Sequence, residues 1–148
     1  MKLIKSIVVL SLLMATANSC FKDKFENELA ELDQYLIDNS ITVGPTSSGI
    51  YYIEVKEGSG PATKGGDEVK VRYTGTFLDG EEFDSGVFTF FLGYGQVIPG
   101  WDEGIKYMNE AGKATLIIPS NMAYGPNGRG SIPGYSTLLF DVEILDIL

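Results

Sequence analysis

The sequence predicts an α+β domain, an antiparallel sheet with one short helix, and a further helix lying N-terminal to it. Three observations carry this. Segments rich in β-branched and aromatic residues recur between turns built on Gly, Pro and Asp. Eighteen glycines in 148 residues suit a turn-rich sheet better than a helical bundle. Between the strand segments a single stretch, Trp101 to Met108 behind Pro99-Gly100, has a helical start signal.

The elements follow in chain order. Met1 to Lys5 carries Lys2 and Lys5, Ile7 to Ala15 is nearly all apolar, and Ala17-Asn18-Ser19 is small and polar. That order is a signal peptide over residues 1–19, with an apolar run far short of the roughly 20 residues a membrane span needs. Ala17-Asn18-Ser19-Cys20 resembles a bacterial lipobox, in which the cysteine is lipidated and becomes the first mature residue. Ordinary cleavage that leaves Cys20 as a free thiol is the alternative. The lipobox pathway attaches several acyl chains, and stable anchoring takes two or more. The expected location is therefore the cell envelope, tethered to a membrane, with the outer membrane favoured. Removal of residues 1–19 takes the formal charge from -9 to about -11. Such a charge suits solubility beside a membrane, not electrostatic adhesion to it.

Residues 20–48 form a lipidated N-terminus, a helix and a linker. Phe25, Leu29, Leu32 and Leu36 mark one stripe of a helix from about Lys22 to Asp38. The stripe is expected to pack on the following domain; a dimerisation stalk is the alternative, but two heptads are short for an independent coiled coil. Val43 to Gly49 reads as a linker that would lift the domain off the membrane.

The domain itself spans 49–148. Ile50 to Lys56 is a first strand. Glu68 to Phe77 alternates Val69, Val71, Tyr73 and Phe77 against Lys70, Arg72 and Thr74. Leu78-Asp79-Gly80-Glu81 is a turn. Phe88 to Leu92, Lys113 to Pro119 and Leu138 to Ile144 supply the remaining strands.

Composition excludes several function classes. With no histidine there is no Ser-His-Asp triad and no histidine base. With one cysteine there is no intramolecular disulfide, Cys-x-x-Cys pair or zinc knuckle. The negative charge disfavours a nucleic-acid partner. No metal or cofactor is expected. Gly93-Tyr94-Gly95 lacks the third glycine of a dinucleotide loop. Asp79, Glu81, Glu82 and Asp84 lack the spacing of a calcium loop or a glycosidase pair.

The surplus of rings is more informative. Tyr73, Phe77, Phe83, Phe88, Phe90, Phe91, Trp101, Tyr124 and Phe140 exceed what a sheet of this size needs for its core. A larger core and a ring-lined cleft both explain them. Their arrangement points to the cleft. Val71-Arg72-Tyr73-Thr74-Gly75, Phe83-Asp84-Ser85 and Phe90-Phe91-Leu92-Gly93 are followed by Gly95-Gln96-Val97-Ile98-Pro99-Gly100-Trp101-Asp102-Glu103-Gly104, Ala123-Tyr124-Gly125 and Leu139-Phe140-Asp141-Val142-Glu143. This series closely resembles the FKBP family of peptidyl-prolyl cis-trans isomerases over Gly49 to Leu148.

The resemblance implies a bent antiparallel sheet of five or six strands around the short helix, with the cleft between them. It places Tyr73, Asp84 and Tyr124 in catalytic roles, and Phe83, Phe88, Phe90, Val97, Ile98, Trp101, Ile132 and Phe140 at substrate. Trp101 would be the floor, with Phe83, Phe90 and Phe140 as walls and Phe88 at the edge. The Ile98 N–H and the Tyr124 hydroxyl would donate to peptide carbonyls, and Asp84 would sit at the rim bonded to a tyrosine. The implied partners are proline-containing polypeptide clients, with family macrolides as inhibitors of the same cleft. Gly125 to Gly134 would be a flap, shorter and more polar than in many members, with Arg129 and Ser131 among glycines. Isomerisation needs neither histidine nor metal, which accords with the composition. A chaperone or assembly module using the same cleft without turnover, or a purely structural envelope lipoprotein, are the competing readings.

Overall fold

The computed structural model of the protein describes residues 2–148, with side chains from Cys20 onward. The expected signal peptide, 1–19, thus lies outside the residues whose side chains are described. The chain opens with helix α1, Lys2–Asp38. Five strands follow: β1 (Tyr51–Lys56), β2 (Glu68–Phe77), β3 (Glu82–Phe91), β4 (Lys113–Ile118) and β5 (Leu138–Ile147). Helix α2, Pro99–Gly104, lies between β3 and β4. The strands form one antiparallel sheet in the order β1-β4-β5-β2-β3.

Alternation sets the faces of the sheet. Val69 and Val71 of β2, Leu116 and Ile118 of β4, and Leu138 and Ile144 of β5 are fully buried and meet Trp101 and Ile105 of the helical segment. Outward-facing Arg72 and Lys113 pair with Glu143 at 2.9 and 3.5 Å. Such exposed pairs add little stability. The β2–β3 hairpin turns at Gly80, whose φ is +89°, and Asp79 Oδ1 accepts the Glu81 N–H at 2.9 Å.

Three elements differ from the sequence expectation. Strand β3 begins at Glu82, not Phe88, because Ser85 and Gly86, turn formers by composition, pair with Thr74 and Tyr73 of β2. Cross-strand pairing overrides their local preference. Helix α2 ends at Gly104 and tightens into a 3-10 turn over Ile105–Tyr107. The Thr63 hydroxyl serves the carbonyls of Ile105 and Met108 at 2.7 and 3.1 Å, so the helix end is satisfied where it stops. Helix α1 runs on from the N-terminus instead of starting near Lys22.

Helix α1 does pack on the domain, but on a stripe rotated from the expected one. Glu28 and Leu32 are buried and Tyr35 and Leu36 half-buried, whereas Phe25 and Leu29 stay 37% and 38% exposed. The Tyr35 phenol is pushed above its ordinary value by burial and, next, by Asp141 of β5. After Asp38 the chain turns back through Ser40, at a left-handed φ of 54°, and a Thr46–Gly49 turn to reach β1. Among the described residues no helix is long and apolar enough to cross a membrane.

Candidate functional site

Helix α2 sets the floor of the site. Pro99 occupies its first turn, where a missing N–H costs nothing. That start delivers Trp101 to the sheet, buried to 4% exposure. The indole meets the rings of Tyr73 at 5.1 Å and Phe140 at 5.2 Å, both edge-on, and Phe90 at 5.9 Å. These edge-to-face contacts are the favoured aromatic geometry. Among the described residues the indole Nε1 has no hydrogen-bond partner, so the floor keeps one unused N–H donor.

The walls come from β2, β3 and β5. Phe83 stands edge-on to Phe140 at 5.6 Å, and their approach requires a glycine between them. A Cβ on Gly75 would lie 2.6 Å from the Phe83 ring and 2.9 Å from that of Phe140. Tyr73 donates its hydroxyl to Asp84 Oδ2 at 2.8 Å, across the β2–β3 pair. Burial first, then this bond and the neighbouring Asp84 and Tyr124, push the Tyr73 phenol up to about 12. The proton therefore stays on Tyr73 at any physiological pH, and Asp84 is the oriented acceptor at the rim.

One side of the mouth is the Gly93–Ile98 loop. Asp102, one residue after Trp101, accepts the N–H of Gly93 at 2.8 Å and of Gly95 at 2.9 Å, and Gln96 Oε1 accepts that of Phe91 at 2.9 Å. The loop ends at Ile98, whose carbonyl starts α2 and whose N–H has no partner among the described residues. Opposite lies the flap. Tyr124 is half-buried, its hydroxyl makes no hydrogen bond among the described residues, and the Arg129 guanidinium sits 5.7 Å from its ring centroid. Ile132 closes the flap side, 9% exposed, and Arg129 and Ile132 exchange backbone bonds of 2.9 Å in each direction.

Together these residues enclose a cavity of about 640 Å³, within the range of small-ligand pockets. Tyr73, Phe83, Asp84, Phe88, Val97, Ile98, Trp101, Tyr124, Ile132 and Phe140 all line it. Phe90 does not, and its expected place as a wall is corrected. It is 2% exposed, stacked under Phe88 at 6.0 Å and behind Trp101, because it lies deeper along β3, opposite Val69. Sequence reasoning missed Gly95 and Gln96 as lining residues, and it took Arg129, Gly130 and Ser131 only as flap composition. It also missed Asp102 as the tie of the loop; an acid in the first turn of a helix behind a glycine-rich loop was the available signal. Cys20 lies apart from the cavity, exposed on α1. Among the described residues no three metal-ligating side chains converge.

The site can take an apolar ring onto Trp101 and meet flanking carbonyls with two unpartnered donors at its mouth, Ile98 N–H and Tyr124 hydroxyl. It offers no nucleophile paired with a base.

Comparison with known proteins agrees. A family model described as FKBP-type peptidyl-prolyl cis-trans isomerase matches residues 60–145. The chain is 45% identical over 133 residues to the FKBP-type peptidyl-prolyl cis-trans isomerase FkpA of Aeromonas hydrophila, covering 85% of this chain and 48% of that protein. It is 45% identical over 105 residues to the FK506-binding protein of Neisseria meningitidis serogroup B, covering 67% of this chain and 96% of that one. The crystal structure of FkpA from Escherichia coli superimposes with a TM-score of 0.75 at 35% identity, over 97% of this chain and 70% of that chain. The chain spans less than half the length of the FkpA relatives it matches in Aeromonas hydrophila and Escherichia coli.

Proposed function

From the premise that this chain belongs to the FKBP-type peptidyl-prolyl cis-trans isomerase family, we propose that it accelerates rotation about X-Pro bonds of exported polypeptides. The observation that carries the proposal is the cavity itself: a ring-lined hollow with an indole floor and two unpartnered donors at its mouth.

The chemistry follows from amide resonance. Rotation about the C–N bond faces a barrier of roughly 18–20 kcal/mol because it breaks that resonance. The twisted amide has less charge on its oxygen than the planar one. An apolar, water-poor pocket therefore disfavours the planar ground state relative to the transition state, and only such differential stabilisation raises the rate. Phe83, Trp101 and Phe140 supply the apolar walls and the seat for the proline ring. Ile98 N–H and the Tyr124 hydroxyl fix the flanking carbonyls, so that one side of the bond is held while the other turns. Asp84, oriented by Tyr73, presents its carboxylate at the rim, facing the rotating amide. No proton leaves a side chain and no bond is cut.

The address completes the proposal. A lipid on Cys20 would hold the domain at a membrane of the cell envelope, where exported chains with X-Pro bonds emerge. Family macrolides would compete for the same cavity.

A proline tetrapeptide assay with protein from residue 21 onward tests the activity. Catalysed relaxation blocked by a family macrolide is expected; a rate equal to the uncatalysed one defeats the proposal. For the tether, labelled lipid should enter the wild-type chain and not Cys20→Ser.

A further inference from the structure

Glu28 is a buried acid that lies outside the cleft. It sits on α1, yet its three hydrogen bonds all go to the catalytic domain. Its Oε1 accepts the Ser120 N–H at 2.6 Å and the Thr137 hydroxyl at 2.9 Å, and its Oε2 accepts the Ser120 hydroxyl at 2.5 Å. All three residues are buried, at 3%, 3% and 4% exposure. A carboxylate removed from water costs several kcal/mol unless donors replace its hydration. These donors come from one place with respect to the chain: Ser120 precedes the flap and Thr137 follows it.

The segment between them carries Tyr124, Arg129 and Ile132, all on the cavity wall. It is already stiff inside. The Tyr135 N–H bonds the Gly125 carbonyl at 3.0 Å, and Tyr135 holds a left-handed φ of 60°. A Cβ on Gly134 would lie 1.9 Å from the Pro126 carbonyl oxygen, so the two arms of the flap touch through backbone. The loop leaves the β4–β5 ladder at the Ile118–Leu138 pair, and Glu28 bonds Ser120 and Thr137 just beyond that pair, on both feet at once.

We infer that Glu28 is a positioning residue for the prolyl site: helix α1, through its carboxylate, holds the flap that bears Tyr124 and Ile132 in the substrate-binding position. This rests on the isomerase reading above. Loss of the clasp lowers the fraction of molecules with the flap seated, and apparent affinity falls by that fraction while the saturated rate is kept.

The test uses the full chain with Glu28→Ala, Glu28→Gln, Thr137→Val and, as a destabilised core control away from the flap, Ile144→Val. Two readouts are taken: amide exchange of Arg129, Ile132 and Tyr135, and KM separately from kcat on a proline peptide. Glu28→Ala should speed exchange at the three flap amides and raise KM, each by about tenfold, with kcat within about twofold of wild type. Glu28→Gln should restore both, since its carbonyl accepts from the Ser120 N–H and Thr137 while its amide donates to the Ser120 hydroxyl. Thr137→Val should shift both in the direction of Glu28→Ala, by less. Wild-type exchange and KM in Glu28→Ala, or equal shifts in Ile144→Val, would overturn the assignment. If Glu28→Ala does not fold, Thr137→Val against Ile144→Val decides by the same criteria. A wild-type chain without isomerase activity would count against the functional reading alone, and the exchange arm would still decide the clasp.

Discussion

The prolyl cleft and the seat of helix α1 are built by opposite means. The cleft is made of rings held at edge-on angles by backbone: Gly75 lets Phe83 and Phe140 meet, and Pro99 starts the helix that delivers Trp101. The seat is made of one carboxylate and three donors drawn from residues 92 and 109 positions away in sequence. Non-directional packing tolerates small shifts, whereas buried hydrogen bonds are satisfied in one arrangement and costly in others. A groove that receives many client sequences suits the first construction. A joint that must return to one geometry suits the second.

That contrast can be broken or sharpened by experiment. The largest effect is expected at the floor. Trp101→Ala removes the buried floor of the cleft and should lose about 3–5 kcal/mol in urea unfolding followed by circular dichroism, together with most isomerase activity. A variant that keeps wild-type activity would remove Trp101 from the site. Next is the buried apolar residue beside that seat: Leu32→Ala should cost about 2–4 kcal/mol. Read by limited proteolysis near residues 38–46, it should free helix α1 while the sheet core stays protected.

Smaller effects separate the cleft's polar parts. Tyr124→Phe deletes one donor without altering packing and should lower kcat/KM by up to about tenfold, the equivalent of ~0.5–1.5 kcal/mol. Wild-type activity in Tyr124→Phe together with a loss in Tyr124→Ala would mean that the ring, not the hydroxyl, matters. The smallest effect is alkaline. Tyr73 titrates near 10.0 when unfolded and about 12 when folded, so above pH 10 the unfolded chain loses this proton first. Stability from Tyr73 is thus present below about pH 10 and lost as pH rises towards 12. Thermal melts should show this decline in wild type and a flatter profile in Tyr73→Phe.

The two regions also differed in how far the sequence revealed them. Alternation placed Val69, Val71 and Tyr73 correctly on one face of β2, and the ordered motifs brought together most of the cavity lining. Phe90 went wrong because an i, i+2 pair on a strand shares a face but not a depth; Phe88 reaches the cavity and Phe90 lies behind it. The seat was illegible for a stronger reason. Apolar periodicity selected Phe25 and Leu29, while the helix docks through Glu28, a residue type that composition assigns to solvent. Only the donors on Ser120 and Thr137 make that acid a core residue, and nothing local to Glu28 announces them. Strand β3 was half-missed on similar grounds, since Ser85 and Gly86 take their extended form from β2.

Asp102 carries a consequence for how clients are told apart. By gripping Gly93 and Gly95 from the turn next to Trp101, it joins the indole and the loop leading to Ile98 into one rigid gauge. On the proposed activity, the scaffold would then dictate the interval between a prolyl ring and the carbonyl beside it, and preference among sequences would arise further out, where Phe88 and Arg129 border the opening.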